Sequence, residues 1–408
     1  MAGQGSGARR SATACLLALL LALTGLVGCG AGTGPADTTS REIQTLLDRH
    51  ARALLDRDQP GYLAAVDPAY APTALTVFRR LATVPIDGWT YRLTGVDRTG
   101  GDRVTARADL GYRLRGHDRR PATGARVLDL TERDGRWYVT GDRPAEGAPR
   151  HLWEQGDVAT VAGARSLVLG VGQTPERLRE IAAAADRAVP VVSAAWPAAW
   201  AREVVVLVPG SLRGMGELLG APGSSYRGIA AVTTGETRGG ADAPADRVIV
   251  NPEAYGVLGS FGRQLVLTHE TVHVATRAAT TPSTPVWLSE GFADLVAYRD
   301  SGRTPAQAAP ELRRAVLAGE LPARLPEDSD FAFGGDAEAL ARAYEGGWLA
   351  CELIADRWGE AKLTEFYRAV GAHPSREGAV EKALQEVLGT TPEEFTAAWR
   401  TSLRERLG

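Results

Sequence analysis

Leu265-Val266-Leu267-Thr268-His269-Glu270-Thr271-Val272-His273-Val274 is the stretch from which the rest of this chain is read. Residues four apart lie on one face of a helix, so His269 and His273 can point at a single ion. Neutral imidazole nitrogens are good zinc ligands, and a catalytic site needs three protein ligands with one position left for water. Glu270 is rotated from the histidines by one residue. It can reach a bound water without taking a coordination position, which suits a general base. The residues around the three are apolar, which predicts a mostly buried helix and a low-dielectric site. The competing reading is a core helix with two incidental histidines, and the sequence that follows weighs against it.

Sixteen residues intervene between His273 and Glu290, which stands in Pro285-Val-Trp-Leu-Ser-Glu290-Gly-Phe-Ala-Asp294. Pro282 and Pro285 break the chain and let a second helix start and return against the first. Glu290 is then the expected third ligand. Asp294 lies one turn further on the same face, placed to accept a hydrogen bond from a ligating imidazole. Trp287, Leu288, Phe292, Ala293, Leu295 and Val296 surround the two acids on most sides, which argues against a solvated helix face.

His-Glu-x-x-His followed by Trp-Leu-Ser-Glu-Gly-Phe-Ala-Asp resembles the gluzincin metallopeptidases, especially the peptidase MA-like catalytic domain of the aminopeptidase N family. A further match lies at Ala343-Tyr344-Glu345-Gly346-Gly347-Trp348, followed by Leu353-Ile354 and Trp358-Gly359. Leu384 to Trp399, with Gly389-Thr-Thr-Pro-Glu-Glu-Phe, is similar to the helical close of that domain. The resemblance covers roughly residues 150–408 and is strongest between 261 and 360. It implies a Zn2+ cofactor, a peptide or protein substrate, and for Tyr344 the role of the family's Tyr-x-x-Gly tyrosine, which stabilises the tetrahedral intermediate. Two departures stand out. The interval from His273 to Glu290 is shorter than the family's usual one. There is also no Gly-x-Met-Glu-Asn motif, whose glutamate binds the free amino terminus of an aminopeptidase substrate; Gly235-Glu236-Thr237 is the nearest candidate in position. An endopeptidase or narrow-substrate enzyme is therefore expected rather than a typical aminopeptidase.

Outward from this centre the chain reads as α+β. Ile43, Leu46, Leu47, His50, Ala53 and Leu54 recur at helical spacing over about Ser40 to Asp58, and a looser helical stretch covers Tyr62 to Leu81. The period then becomes two: Trp89 to Val96, Val104 to Leu114, Val127 to Thr131 and Trp137 to Thr140 alternate as strands, with Asp134-Gly135 a hairpin signal between the last two. Helices followed by a curved antiparallel sheet closing on Asp-Gly-Arg-Trp-Tyr-Val resemble the NTF2-like fold, a likeness that implies no activity. Turn formers at 141–150 suggest a boundary. Beyond it, Val158 to Leu169, Val204 to Val208, Ile229 to Thr233 and Val248 to Val250 read as strands, and Thr174 to Trp196 as a helix opened by Thr174-Pro175-Glu176. From Phe261 onward the pattern is helical. The expected organisation is a leader over 1–28, a tether over 29–39, an NTF2-like domain over 40–145 and a zincin-like metallopeptidase domain over 150–408, a small mixed sheet followed by a mostly helical lobe.

The chain has 408 residues, enough for two domains, and a net charge of −3, which gives no basic footprint and excludes nucleic acid as an expected partner. Nothing in it speaks to oligomeric state. Arg9 and Arg10 precede an apolar run from Cys15 to Val27, too short to span a bilayer as a helix but suited to a signal peptide. The run ends in Leu26-Val27-Gly28-Cys29, which resembles the bacterial lipobox and implies cleavage before Cys29, lipid on its sulfur and an extracytoplasmic, membrane-anchored protein. Cys351, the remaining thiol, has no intramolecular partner and reads as a small buried hydrophobe. A rival of another class is a lipid-anchored binding protein with a structural or vestigial zinc site, working through an NTF2-like pocket. Anchoring has a direct test: labelled fatty acid should enter the wild-type chain and not Cys29→Ser, which should leave the membrane fraction or stay unprocessed. A wild-type chain that never takes up label is held otherwise.

Overall fold

In the computed structural model, residues 35–234, 244–332 and 336–408 are described, and Ser40–Gly408 make up one unit. The expected leader and Cys29 lie outside the described residues. Helix α1 (Pro35–Leu55) buries Ile43, Leu46, Leu47 and Leu54 on one face, and α2 (Ala71–Arg80) adds Ala74 and Phe78. Both pack on a meander of β1 (Ile86–Gly100), β2 (Arg103–Leu114), β3 (Ala122–Arg133) and β4 (Arg136–Pro144), antiparallel and in sequence order. Alternation places Val104, Ala106, Ala108 and Leu110 inward along β2. The β3–β4 turn puts Asp134 at φ 52° and Gly135 at φ 71°, the positive pair that a two-residue hairpin loop requires.

A second sheet follows. It contains β5 (Val158–Ala162), β6 (Ser166–Val171), β7 (Val204–Val208), β8 (Ala231–Thr234) and β9 (Arg247–Val250) in the order β5-β6-β7-β9-β8. The β6, β7 and β9 strands are parallel, while β5 and β8 run antiparallel at the two edges. Helix α3 (Pro175–Ala195) makes the β6–β7 crossover, with the Thr174 hydroxyl accepting the Arg177 amide at 3.2 Å and Pro175 in the first turn. The run Val-Val-Val-Leu-Val at 204–208 is apolar throughout because both faces of its strand are covered. Val204, Val206 and Val208 meet α3, while Val205 and Leu207 belong to the same core as the first sheet. The two sheets therefore share apolar contacts. The turn-rich segment 141–150 is a seam rather than a free linker: the Arg150 amide donates to the Glu217 carbonyl at 2.8 Å, and buried Arg126 bonds Asp142 and Glu154 across it.

The remainder is a helical lobe made of α4 (Ser260–Thr276), α5 (Val286–Tyr298), α6 (Ala337–Trp358), α7 (Glu360–Ala372) and α8 (Pro392–Leu407). Its core gathers Trp196, Phe292, Phe366, Tyr367, Phe395 and Trp399. Cys351 is fully buried there, its thiol pushed up by desolvation. Among the described residues no helix is long and apolar enough to cross a membrane.

One crossing in the lobe has almost no tolerance. A Cβ on Gly291 of α5 would stand 2.2 Å from the Gly347 carbonyl oxygen of α6, and one on Gly347 would stand 2.7 Å from the Trp287 carbonyl oxygen. The obstacle is backbone, which cannot swing aside. Alanine would gain about 1 kcal/mol of helix propensity, but overpacking typically costs ~1–3 kcal/mol and separates the helices. Gly291→Ala should therefore lower Tm by several degrees and weaken metal retention at the adjacent Glu290. Wild-type values for both, by calorimetry and metal analysis, would show that the helices can part without consequence.

Candidate metal centre

Helix α4 carries His269, Glu270 and His273, and α5 carries Glu290 and Asp294. The chain between them turns tightly through Arg277–Ala279, and Thr281 and Thr284 close the bend by mutual backbone and side-chain bonds of 2.9 and 3.1 Å. Pro285, with extended backbone, then opens α5. On the core side α4 buries Leu267, Val272 and Ala275, and α5 buries Trp287, Leu288, Phe292, Ala293 and Val296. His269, His273, Glu290 and Asp294 meet in the cleft between the two helices.

His269, His273 and Glu290 each offer one ligand atom, and these atoms all lie within 4.8 Å of one another. Nε2 of His269 is 3.1 Å from Nε2 of His273 and 3.2 Å from Oε2 of Glu290; Nε2 of His273 is 3.5 Å from Oε1 of Glu290. A tetrahedral zinc with bonds of about 2.0–2.1 Å spaces its donors by roughly 3.3–3.4 Å. The three residues fit the ion in donor type, number and separation. Their side chains are 14–19% exposed, so the cluster is reachable from solvent.

Charge points the same way. Burial works against a charge on His269, yet the carboxylates of Asp294 and Glu290 outweigh it and hold that imidazole well above its ordinary pKa. Burial likewise pushes Glu290 up, and the two histidines reverse it, leaving the carboxylate far below its usual range. Two ring nitrogens 3.1 Å apart cannot both carry a proton between them. The pocket thus calls for positive charge at the centre of the three donors, which a divalent cation supplies directly.

Asp294 Oδ1 lies 2.8 Å from His269 Nδ1, which fixes the ring and turns Nε2 towards the centre. Glu270 is buried and stands outside the donor set; its Oε2 accepts a hydrogen bond of 2.6 Å from the Thr233 hydroxyl of β8. Sequence reasoning passed over Thr233, which reads only as the end of a short strand 37 residues before its partner. Tyr344 of α6 lines a cavity of about 300 Å³ with Asp294, Tyr298 and Trp348. Burial and then the carboxylates of Glu290, Asp294 and Glu270 push its phenol up, so all three acids act on it. Gly235-Glu236-Thr237 lies outside the described residues. His50, by contrast, is a buried structural histidine, stacked on Tyr62 at 4.0 Å and kept neutral by a pKa lowered to about 4 by burial.

No protein-family model matches this sequence, and no curated protein matches it. Solved structures similar to it include an M1 zinc metallopeptidase from Deinococcus radiodurans, at 14% identity and a TM-score of 0.36, covering 79% of this chain and 94% of that one. A mutant form of a two-domain M1 zinc metallopeptidase bound to L-arginine gives the same figures, 14%, 0.36, 79% and 94%. A function-unknown protein from Mycobacterium tuberculosis aligns at 18% identity and a TM-score of 0.24, over 30% of this chain and 79% of that one. These likenesses are distant, and the reading of the site rests on its own atoms.

Metal analysis should find about one zinc per chain, lost in His273→Ala and in Glu290→Ala. Asp294→Ala should keep the ligands but weaken affinity by roughly 10–100-fold, the usual cost of removing a ligand's hydrogen-bond partner. Unchanged zinc content in both ligand variants would remove the assignment.

Proposed function

We propose that this chain is a zinc-dependent peptidase, anchored through lipid on Cys29 at the outer face of the cytoplasmic membrane, and not a typical aminopeptidase. The observation that carries the reading is the position of Glu270. Three donors, His269, His273 and Glu290, already complete a zinc-sized triangle, and a further acidic group, Glu270, is buried beside it without joining it. A structural site has no use for such a group; hydrolysis does.

Zinc held there would polarise a scissile carbonyl and bring the pKa of water towards ~7. Glu270 takes the proton of the attacking water and returns it to the leaving amine. Tyr344 donates to the oxyanion as the carbonyl becomes tetrahedral, and Asp294 keeps the His269 ring in register. The absence of a Gly-x-Met-Glu-Asn motif supports cleavage within peptides or of a narrow substrate set. The peptide or protein substrate would lie outside the membrane, with residues 40–145, NTF2-like by resemblance, serving spacing or docking. A binding-protein reading needs a ligand chamber in that region. One cavity there, between His50, Tyr62, Tyr91, Arg126 and Asp142, measures about 40 Å³, and another, against Tyr112, Leu114 and Ala122, about 210 Å³, both below the roughly 300–1,000 Å³ of ordinary ligand pockets.

Glu270→Gln should retain zinc and fold while losing ~10²–10⁴ in turnover of a fluorogenic peptide selected from a mixed-sequence library. Tyr344→Phe should lower kcat and kcat/KM together, by roughly 10²–10³ for one oxyanion donor. Zinc-loaded Glu270→Gln turning over at the wild-type rate would refute the mechanism.

A further inference from the structure

Thr233 touches Glu270 twice. Its Oγ1 lies 2.6 Å from Oε2 of the carboxylate and 3.1 Å from the backbone carbonyl oxygen of the same residue. A threonine hydroxyl has one proton to give. The short contact to the charged acceptor takes it, since O–H···O bonds to a carboxylate lie at about 2.5–2.7 Å. Thr233 sits on β8, the edge strand beside α4, and its side chain is half-buried, as expected of a residue at the rim of a cleft. Nothing about strand formation demands a hydroxyl here: valine has the same shape and at least equal strand propensity.

We infer that Thr233 is a positioning residue that makes Glu270 a one-oxygen proton shuttle. The inference rests on the peptidase reading. A carboxylate has two equivalent oxygens and a torsion that exchanges them. With Oε2 tied to β8, only Oε1 is free to face the reacting water. Oε1 takes a proton from that water as the water oxygen bonds the scissile carbon; the same proton then passes from Oε1 to the nitrogen as the carbon–nitrogen bond breaks. Thr233 keeps its own proton throughout. The bond to Oε2 stops the carboxyl group from turning the captured proton away from the departing amine. Because β8 belongs to the sheet and Glu270 to a helix, the tie also fixes the base relative to an element that does not carry the metal ligands.

The test compares Thr233→Val, which removes the hydroxyl, with Thr233→Ser, which keeps it. Thr233→Val should lower kcat by about 10- to 100-fold, the scale of one hydrogen bond to a charged group, with KM within about threefold of wild type. Thr233→Ser should restore most of the loss, and zinc content should match wild type in both. In a Glu270→Gln background Thr233→Val should cost nothing further, because its effect runs through Glu270. A readout independent of turnover comes from crystals of the metal-free protein: one Glu270 rotamer in wild type and Thr233→Ser, more than one in Thr233→Val. Two results would overturn the inference alone: Thr233→Val with wild-type kcat while Glu270→Gln is dead, or Thr233→Ser as impaired as Thr233→Val. Glu270→Gln with full turnover would remove the inference together with the peptidase reading beneath it.

Discussion

Glu290 and Gly291 are neighbours whose duties point in opposite directions. Glu290 reaches across to the histidines of α4, while Gly291 rests on the backbone of α6, where a methyl group would stand 2.2 Å from the Gly347 oxygen. Helix α5 is thus seated by contact between main chains, a far stiffer stop than one made of side chains, and the reach of Glu290 is set by it. The same contact seats α6. Gly347 comes three residues after Tyr344, on the same side of that helix. The Tyr-x-x-Gly spacing therefore has a mechanical meaning in this chain: the glycine allows the approach that brings the tyrosine into the field of Glu290, Asp294 and Glu270. Glu290 and Tyr344 hang from one crossing.

That crossing gathers three carboxylates in a partly buried cleft, an arrangement that is costly unless positive charge answers it. Glu290 and Asp294 face imidazoles. A guanidinium in their place would fill the site for good, since it cannot shed its charge at any physiological pH. An imidazole can give up its proton and present a lone pair instead. Glu270 is handled differently: it meets a neutral hydroxyl, which satisfies one oxygen without neutralising the acid. The three acids are similar in chemistry and are separated in role by what each one faces.

Those features of the site that depend on spacing along one helix were legible in the sequence. His269, Glu270 and His273 needed only the helical repeat, and Glu290 and Asp294 needed one repeat more and a proline-marked bend. The Asp134-Gly135 turn and the Thr174 cap were legible for the same reason, being local. Contacts between distant segments were not. Thr233 reads as a strand residue because nothing within a few positions announces a partner on α4. Gly291 and Gly347 read as isolated helix glycines, since the clash that explains each of them is with the other's helix. The shared core of the two sheets was hidden too: the fully apolar run 204–208 shows that a strand is covered on both faces, but not by what.

That second cover has a consequence at the site. Asp118, just beyond β2, has its carboxylate buried and receives Arg247 of β9 through two bonds of 2.9 and 2.7 Å, together with the Ala245 amide at 2.9 Å. Removing one partner of a buried pair of this kind typically costs ~3–5 kcal/mol, because the other charge is left uncompensated. Arg247 in turn pairs in register with Thr234 of β8, whose hydroxyl donates to the Arg247 carbonyl at 3.3 Å. Thr234 adjoins Thr233. Successive strand residues face opposite ways, so β8 turns Thr233 towards Glu270 and Thr234 towards the seam with the first sheet. An edge strand held only by one neighbour would be free to shift, and the carboxylate tied to it would shift as well. The acid contributed by the first sheet anchors the strand beside β8, so the N-terminal region has a part in holding Glu270 still even though, among the described residues, none of its own joins the cluster of His269, His273 and Glu290.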